Sequence, residues 1–242
     1  MKNVFLETKR VIAFREAMGV VEDVEKGQPG LAVVWGKPGR GKTECAREYA
    51  VRTGAVYLRV MEDWTPRAML SKLCSEINDM EPGTVDRCKK IIVSELDMTV
   101  RTILVDEADR LKVTNIEHLR DIHDLTGAPV VFIGEPSIYA VINSRRRIWS
   151  RVTRTVEFGP IVPEDVLLLG LKAADLKISP EAAHRLTRRS EGDFRLLWLD
   201  MRDLERVAKA NSTQEITEEM VQALPPRKPG PKADMIPKRR RR

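Results

Sequence analysis

The chain has 242 residues, 42% of them hydrophobic, 32% charged and only 5% aromatic, a length that suits one large domain, or one domain with a small satellite, around a sizeable core. Its longest apolar runs, such as Leu31 to Trp35 and Val130 to Ile133, fall far below the ~20 residues that span a bilayer. The first ten residues carry no export signal, and three cysteines without a CxxC argue against a disulfide scaffold or zinc module, so the expectation is a reduced, cytoplasmic protein without a membrane partner. The excess of 42 basic over 36 acidic residues sits at the end: residues 225–242 hold eight Lys or Arg against one acid, which leaves residues 1–224 close to neutral. Such a body binds nucleic acid through a local patch and not through net charge.

In chain order, Asn3 to about Lys26 reads as one or two helices ended by the turn Gly27-Gln28-Pro29-Gly30. Leu31–Trp35 is a short apolar run of the kind buried on both faces of a sheet. Further strands are expected over 55–60, 101–106, 129–134 and 153–158. Thr65 before Pro66 places an N-cap ahead of a proline at the first helical position and opens a helix to about Asn78. Thr84 opens another to about Asp97, and Asn115 one through Leu125 that stops at Gly127. Strands alternating with helices predict an α/β fold, a parallel five-stranded sheet flanked by helices. Beyond Gly159 the strand pattern gives way to helices over 163–174, 179–190, 193–210 and 217–224. The predicted organisation is a core over 1–159 with an N-terminal helical segment, an all-helical subdomain over 160–224, and a tail over 225–242 with too little apolar surface to fold, expected to be disordered.

Gly36-Lys37-Pro38-Gly39-Arg40-Gly41-Lys42-Thr43 fits the pattern GxxxxGK followed by Ser or Thr, directly after a strand and before a helix. Glycines let the backbone wrap a phosphate, and successive N–H groups with the helix N-terminus, through Glu44, supply the donors. Lys42 reaches the β- and γ-phosphates of a nucleotide and the Thr43 hydroxyl ligates magnesium. The third strand ends in Asp106-Glu107, where Asp106 suits a magnesium shell and Glu107 suits a base that orients and deprotonates water. The cofactors expected are therefore ATP and Mg2+. Arg145, Arg146, Arg147, Arg151 and Arg154 form a cluster free of acids that calls for an anion or an acidic face, though a solvated basic helix face or a DNA-backbone patch satisfies the same pattern. Arg195, at the head of a late helix, suits a residue that folds over the nucleotide. The three histidines lack metal-ligand spacing, and the four tryptophans read as packing residues.

This order of parts resembles the AAA+ ATPases, over about residues 3–224. The stretch from His118 to Glu135 is similar to the MuB group of transposition ATPases, relatives of TnsC and, more distantly, of IstB and DnaC-type loaders. The resemblance implies that residues 160–224 form a lid and that the nucleotide lies at a subunit interface. It implies an arginine finger at Arg151 with Arg147 as companion, a second sensor at Arg195, and Glu135 at the first-sensor position, where a neutral polar side chain is usual. It further implies ATP hydrolysis in a homo-oligomer or helical filament on double-stranded DNA that directs a transposase to its target and spares DNA near the element. The family's pore-lining helices map to Arg67, Lys72, Lys89, Lys90 and Lys112 as DNA contacts, which would be blind to sequence and salt-sensitive. The basic tail has three readings: holding DNA, docking on a transposase, or aiding solubility. A helicase loader or other DNA-remodelling ATPase, a P-loop small-molecule kinase and an ATP-gated interaction module remain as alternatives.

Overall fold

Five short strands, the inner three too apolar to face water, set the architecture of the computed structural model, which describes residues 1–2, 4–23 and 30–226. β1 (Leu31–Trp35), β2 (Val56–Arg59), β3 (Ile103–Asp106), β4 (Val130–Gly134) and β5 (Val152–Glu157) form one sheet in the order β2-β3-β4-β1-β5, and every neighbouring pair is parallel. Parallel neighbours need crossovers, and the intervening helices supply them on both faces. Alternating strand residues divide between two cores. Val33, Ile103, Val105, Val130 and Phe132 pack with α3 (Pro66–Asn78), α4 (Val85–Met98), α5 (Val113–Thr126) and α6 (Pro136–Asn143). Ala32, Val34, Leu104, Val131 and Ile133 pack on the other face with α1 (Lys9–Glu22) and α2 (Lys42–Thr53).

The caps read from sequence hold at two helices: the hydroxyls of Thr65 and Thr84 accept from the N–H groups of Ala68 and Arg87 at 3.2 and 3.3 Å. Two others differ. The first helix starts at Lys9, capped by Thr8, because Val4 and Leu6 pack instead against the C-terminal subdomain. α5 starts at Val113 and not at Asn115, which lies inside the first turn with its buried side-chain amide donating to the Trp64 carbonyl at 3.0 Å.

A one-turn helix, α7 (Arg146–Trp149), precedes β5. It is held by a stack of rings in which Tyr139 of α6 lies between Trp35 and Trp149, with centroids 5.1 and 5.8 Å apart. The C-terminal subdomain builds its own core from Val166, Leu169, Leu186, Leu197, Met201 and Leu204, carried by α8 (Pro163–Ala174), α9 (Pro180–Arg189), α10 (Phe194–Ala210) and α11 (Glu218–Gln222). It is not entirely helical, as the sequence suggested. β6 (Lys177–Ile178) and β7 (Glu215–Ile216) pair in parallel, because Ile178 and Ile216 are both buried and two-residue strands are too short to show a period. The end of the first predicted helix beyond Asp23, most of the turn at 27–30, and residues 227–242 of the basic tail lie outside the described residues. Among the described residues no helix is long and apolar enough to cross a membrane.

Phe132, on the central strand β4, is fully buried. Phe132→Ala is expected to destabilise the fold by about 3–5 kcal/mol, measured as the change in unfolding free energy in a urea titration.

Candidate functional site

The loop between β1 and α2 turns through Gly39 and Gly41, at φ 74 and 90, values that glycine adopts without the steric cost other residues meet. Gly41 is also the N-cap of α2 and supplies no side-chain acceptor, so the N–H groups of the first helical turn remain available to an anion. The Lys42 ammonium folds back over the loop and donates to the Gly36 and Lys37 carbonyls at 2.6 and 3.0 Å. Burial pushes its pKa below the ordinary lysine value, and the nearby carboxylates of Asp106, Glu135 and Asp109 offset part of that shift. A desolvated cation beside uncapped amides is a site for polyvalent phosphate.

β3 delivers two carboxylates to the same place. Asp106 is 2% exposed; its Oδ1 accepts from the Glu107 N–H at 3.0 Å and its Oδ2 from the Tyr57 hydroxyl at 2.6 Å. Burial, then the hydrogen bond to Asp106, pushes the Tyr57 phenol well above its usual pKa, so it is a donor at neutral pH. Glu107 sits in the left-handed region at φ 58, a conformation uncommon for a non-glycine residue and frequent at functional sites. Its carboxylate meets Arg59 at 2.9 Å and Arg110 at 2.6 Å. Both pairs are partly solvated and therefore cheap to open. At the end of β4, Asp109 accepts from the Glu135 N–H at 2.9 Å. Gly134 leaves room for that contact, since a Cβ there would lie 2.4 Å from the Asp109 carboxylate.

The C-terminal subdomain closes the third side. The Phe194 N–H donates to the Gly39 carbonyl at 2.8 Å, and Asp193, which caps α10, lies where a Cβ on Gly39 would be, 2.0 Å away. Arg40 of the loop reaches the other way, donating to the Glu191 carbonyl at 3.0 Å. Together these elements enclose a cleft of about 610 Å³ lined by Pro38 to Glu44, Asp106, Glu107, Glu135 and Arg195.

Of the residues expected from sequence, the two remaining arginines lie elsewhere. Arg147 is exposed on α7, and Arg151 pairs with Asp124 of α5 at 2.5 Å while donating to the Arg147 carbonyl at 2.7 Å. Neither lines the cleft of its own chain. Among the expected DNA contacts, Lys72, Lys89 and Lys90 pair with Glu76, Asp121 and Asp86, whereas Arg67 and Lys112 are exposed. Sequence reasoning passed over Arg47, Arg59, Asp109, Arg110 and Phe194, which also line the cleft, and Tyr57 behind it. The alternation of β2, which puts Tyr57 and Arg59 on one face, was the available signal.

The donors and acids present fit ATP with magnesium: uncapped amides and Lys42 for phosphate, the Thr43 hydroxyl and the free lone pairs of Asp106 for a hard cation that prefers oxygen. Gly39→Ala would meet both an unfavourable φ and the Asp193 carboxylate. A cost of about 1–3 kcal/mol is expected to appear as a roughly tenfold or greater loss of affinity in a fluorescent-ATP titration.

Comparison with known proteins agrees with this arrangement. Residues 25–142 match the family model of an AAA domain. The chain is similar to the "ATP-dependent target DNA activator B" of Escherichia phage Mu, at 28% identity over 185 residues, covering 74% of this chain and 55% of that protein; it thus spans just over half the length of the phage relative. It is also similar to a "potential ATP-binding protein" of Staphylococcus aureus, at 24% identity over 259 residues, covering 90% and 94%. Among solved structures, the ORC2 protein of Aeropyrum pernix shares the fold with a TM-score of 0.64 at 13% identity, covering 92% of this chain and 69% of that one. By its AAA-domain match over residues 25–142, its sheet order and its phage relative, the chain is similar to the MuB-like AAA+ ATPases.

Proposed function

We propose that this protein is an ATP- and DNA-dependent regulator of transposition: it binds ATP with magnesium, assembles as a homo-oligomer on double-stranded DNA, hydrolyses ATP at sites shared between neighbouring copies, and presents the DNA to a transposase as a target. The observation that carries the reading is the division of parts. Phosphate loop, carboxylates and Arg195 converge on one cleft, while Arg147 and Arg151 stand outside it on the same chain. A transition state that spreads charge over phosphoryl oxygens gains most from an arginine brought by a second molecule. The phage relative, an ATP-dependent target DNA activator, supports the DNA part of the reading.

In the proposed reaction, the amides after Gly41 and the Lys42 ammonium hold the β- and γ-phosphates. Thr43 and Asp106 would supply the oxygen ligands for magnesium, which when bound would neutralise phosphate charge. Glu107, released from Arg59 and Arg110, takes a proton from a water that attacks the γ-phosphorus in line. The bond from phosphorus to the β-bridging oxygen breaks as the new one forms, leaving ADP and phosphate. Arg195 reaches the phosphates from the lid, and Arg151 of a neighbour, freed from Asp124, meets the developing charge. The lid assignment of residues 160–224 is supported by their separate core and by the contact of α10 with Gly39.

Arg67 and Lys112 are the better candidates for DNA phosphates, because the three lysines on α3 and α4 already have carboxylate partners. With a near-neutral body, affinity then arises from many subunits each making a few contacts.

Glu107→Gln is expected to bind ATP normally and lower turnover by about 10²–10⁴-fold, and to persist on duplex DNA in electron micrographs; an unchanged rate of phosphate release removes Glu107 from the base role. Arg151→Ala is expected to lose about a thousandfold in turnover. Mixing it with Lys42→Ala subunits, each inactive alone, should restore part of the rate, and a mixture as inactive as its components would rule out the shared site.

A further inference from the structure

The side chain behind the cleft has no role in the reading above. Tyr57 lies on β2, paired in register with Leu104, two residue pairs before the match of Arg59 with Asp106 and on the same face as Arg59. Its ring therefore leans along the strand direction and its hydroxyl ends 2.6 Å from Asp106 Oδ2. The other carboxylate oxygen is held at 3.0 Å by the Glu107 N–H. Each oxygen of Asp106 thus has one of its lone pairs occupied by a fixed donor and the other left open. Asp106 is 2% exposed, so without the phenol its Oδ2 would be a buried acceptor lacking a protein donor. The ring itself is held in place: the guanidinium of Arg47 lies 5.8 Å from its centroid. Arg47 is one helical turn beyond Thr43 on α2 and lines the cleft. Tyr57 does not line the cleft, and its contact reaches the site through Asp106.

From this geometry we infer that Tyr57 is a positioning residue for magnesium-dependent nucleotide binding: its hydroxyl fixes the rotation of the Asp106 carboxylate so that the open lone pairs face Thr43 and the phosphate loop, and Arg47 pins the ring that carries the hydroxyl. The inference rests on the assignment of Asp106 to magnesium. A carboxylate fixed from behind presents its oxygens to a small cation without first losing rotational freedom, which matters most for Mg2+, whose octahedral shell tolerates little distortion. Nucleotide held by the loop amides and Lys42 alone does not use this device.

The test is a titration of the whole chain with a fluorescent ATP analogue, first in EDTA and then across a range of Mg2+ concentrations. Tyr57→Phe keeps the ring and removes the hydroxyl. It is expected to leave the affinity in EDTA unchanged and to raise the Mg2+ concentration at half-effect about tenfold, the size of one lost hydrogen bond to a charged acceptor. An unchanged Mg2+ dependence overturns the role of Tyr57. So does an equal loss of affinity with and without Mg2+, which would mark a merely structural residue. Asp106→Asn is measured beside it. If that variant leaves the Mg2+ dependence untouched, the assignment of Asp106 falls and the inference with it; if it shifts the dependence and Tyr57→Phe does not, Tyr57 alone is excluded. Should Tyr57→Phe lower Tm, the titration is repeated well below the variant's Tm, where a shift confined to the Mg2+ series supports the positioning role and a loss shared with the EDTA series counts against it.

Discussion

Where β1 meets α2 the backbone turns through Gly39 and Gly41 and leaves a row of amide donors facing a cleft, uncapped by any side chain. Unpaired donors near the protein interior are costly, so the surrounding structure has to keep this junction rigid while leaving the donors free. β1 does the first part. It lies between β4 and β5, buried on both faces, and cannot shift without disturbing two parallel ladders. α2 does the second, because a helix that starts at a glycine has nothing of its own to turn back on its first N–H groups.

The contact with the C-terminal subdomain follows from the same junction. Gly39 is the point at which α10 reaches the loop, through the Phe194 N–H and the Asp193 carboxylate, and it is also the residue whose conformation makes the loop. Arg40, next in line, reaches back to the Glu191 carbonyl. Glu191 and Gly192 are both left-handed, at φ 51 and 72, and this reversal aims the N-terminus of α10 at the phosphate loop. One short segment therefore shapes the loop and also carries the hydrogen bond that joins the core to the C-terminal subdomain.

Charge in the cleft is arranged in opposed pairs. Lys42 is desolvated among Asp106, Glu135 and Asp109, and Glu107 is met by two guanidinium groups. The site stays near balance until a polyanion enters. Glu135 belongs to this arrangement: it lines the cleft beside Lys42, and an acid at that place is tolerable because its field is shared with the lysine. The arginine cluster stands apart, with Arg151 neutralised by Asp124 and α7 anchored through the Trp35, Tyr139 and Trp149 rings. The tryptophans that composition marked as packing residues thus fix where the free arginines lie.

From residue order alone came the alternation of strands and helices, the phosphate loop, the acids ending β3, and the caps at Thr65 and Thr84. All of these are written in neighbouring residues: a loop's donors are consecutive amides, a cap lies within one turn, and a buried strand is a continuous apolar run. Only the folded chain decided that Tyr57 holds Asp106 across 49 positions, that Asn115 serves Trp64 and does not cap its own helix, that Ile178 and Ile216 pair as strands, and that Arg151 turns to Asp124. These are meetings of side chains or short segments distant along the chain, set by sheet register and helix packing. A period of two or of 3.6 residues tells which face a residue occupies, and only the packed neighbours determine what that face meets.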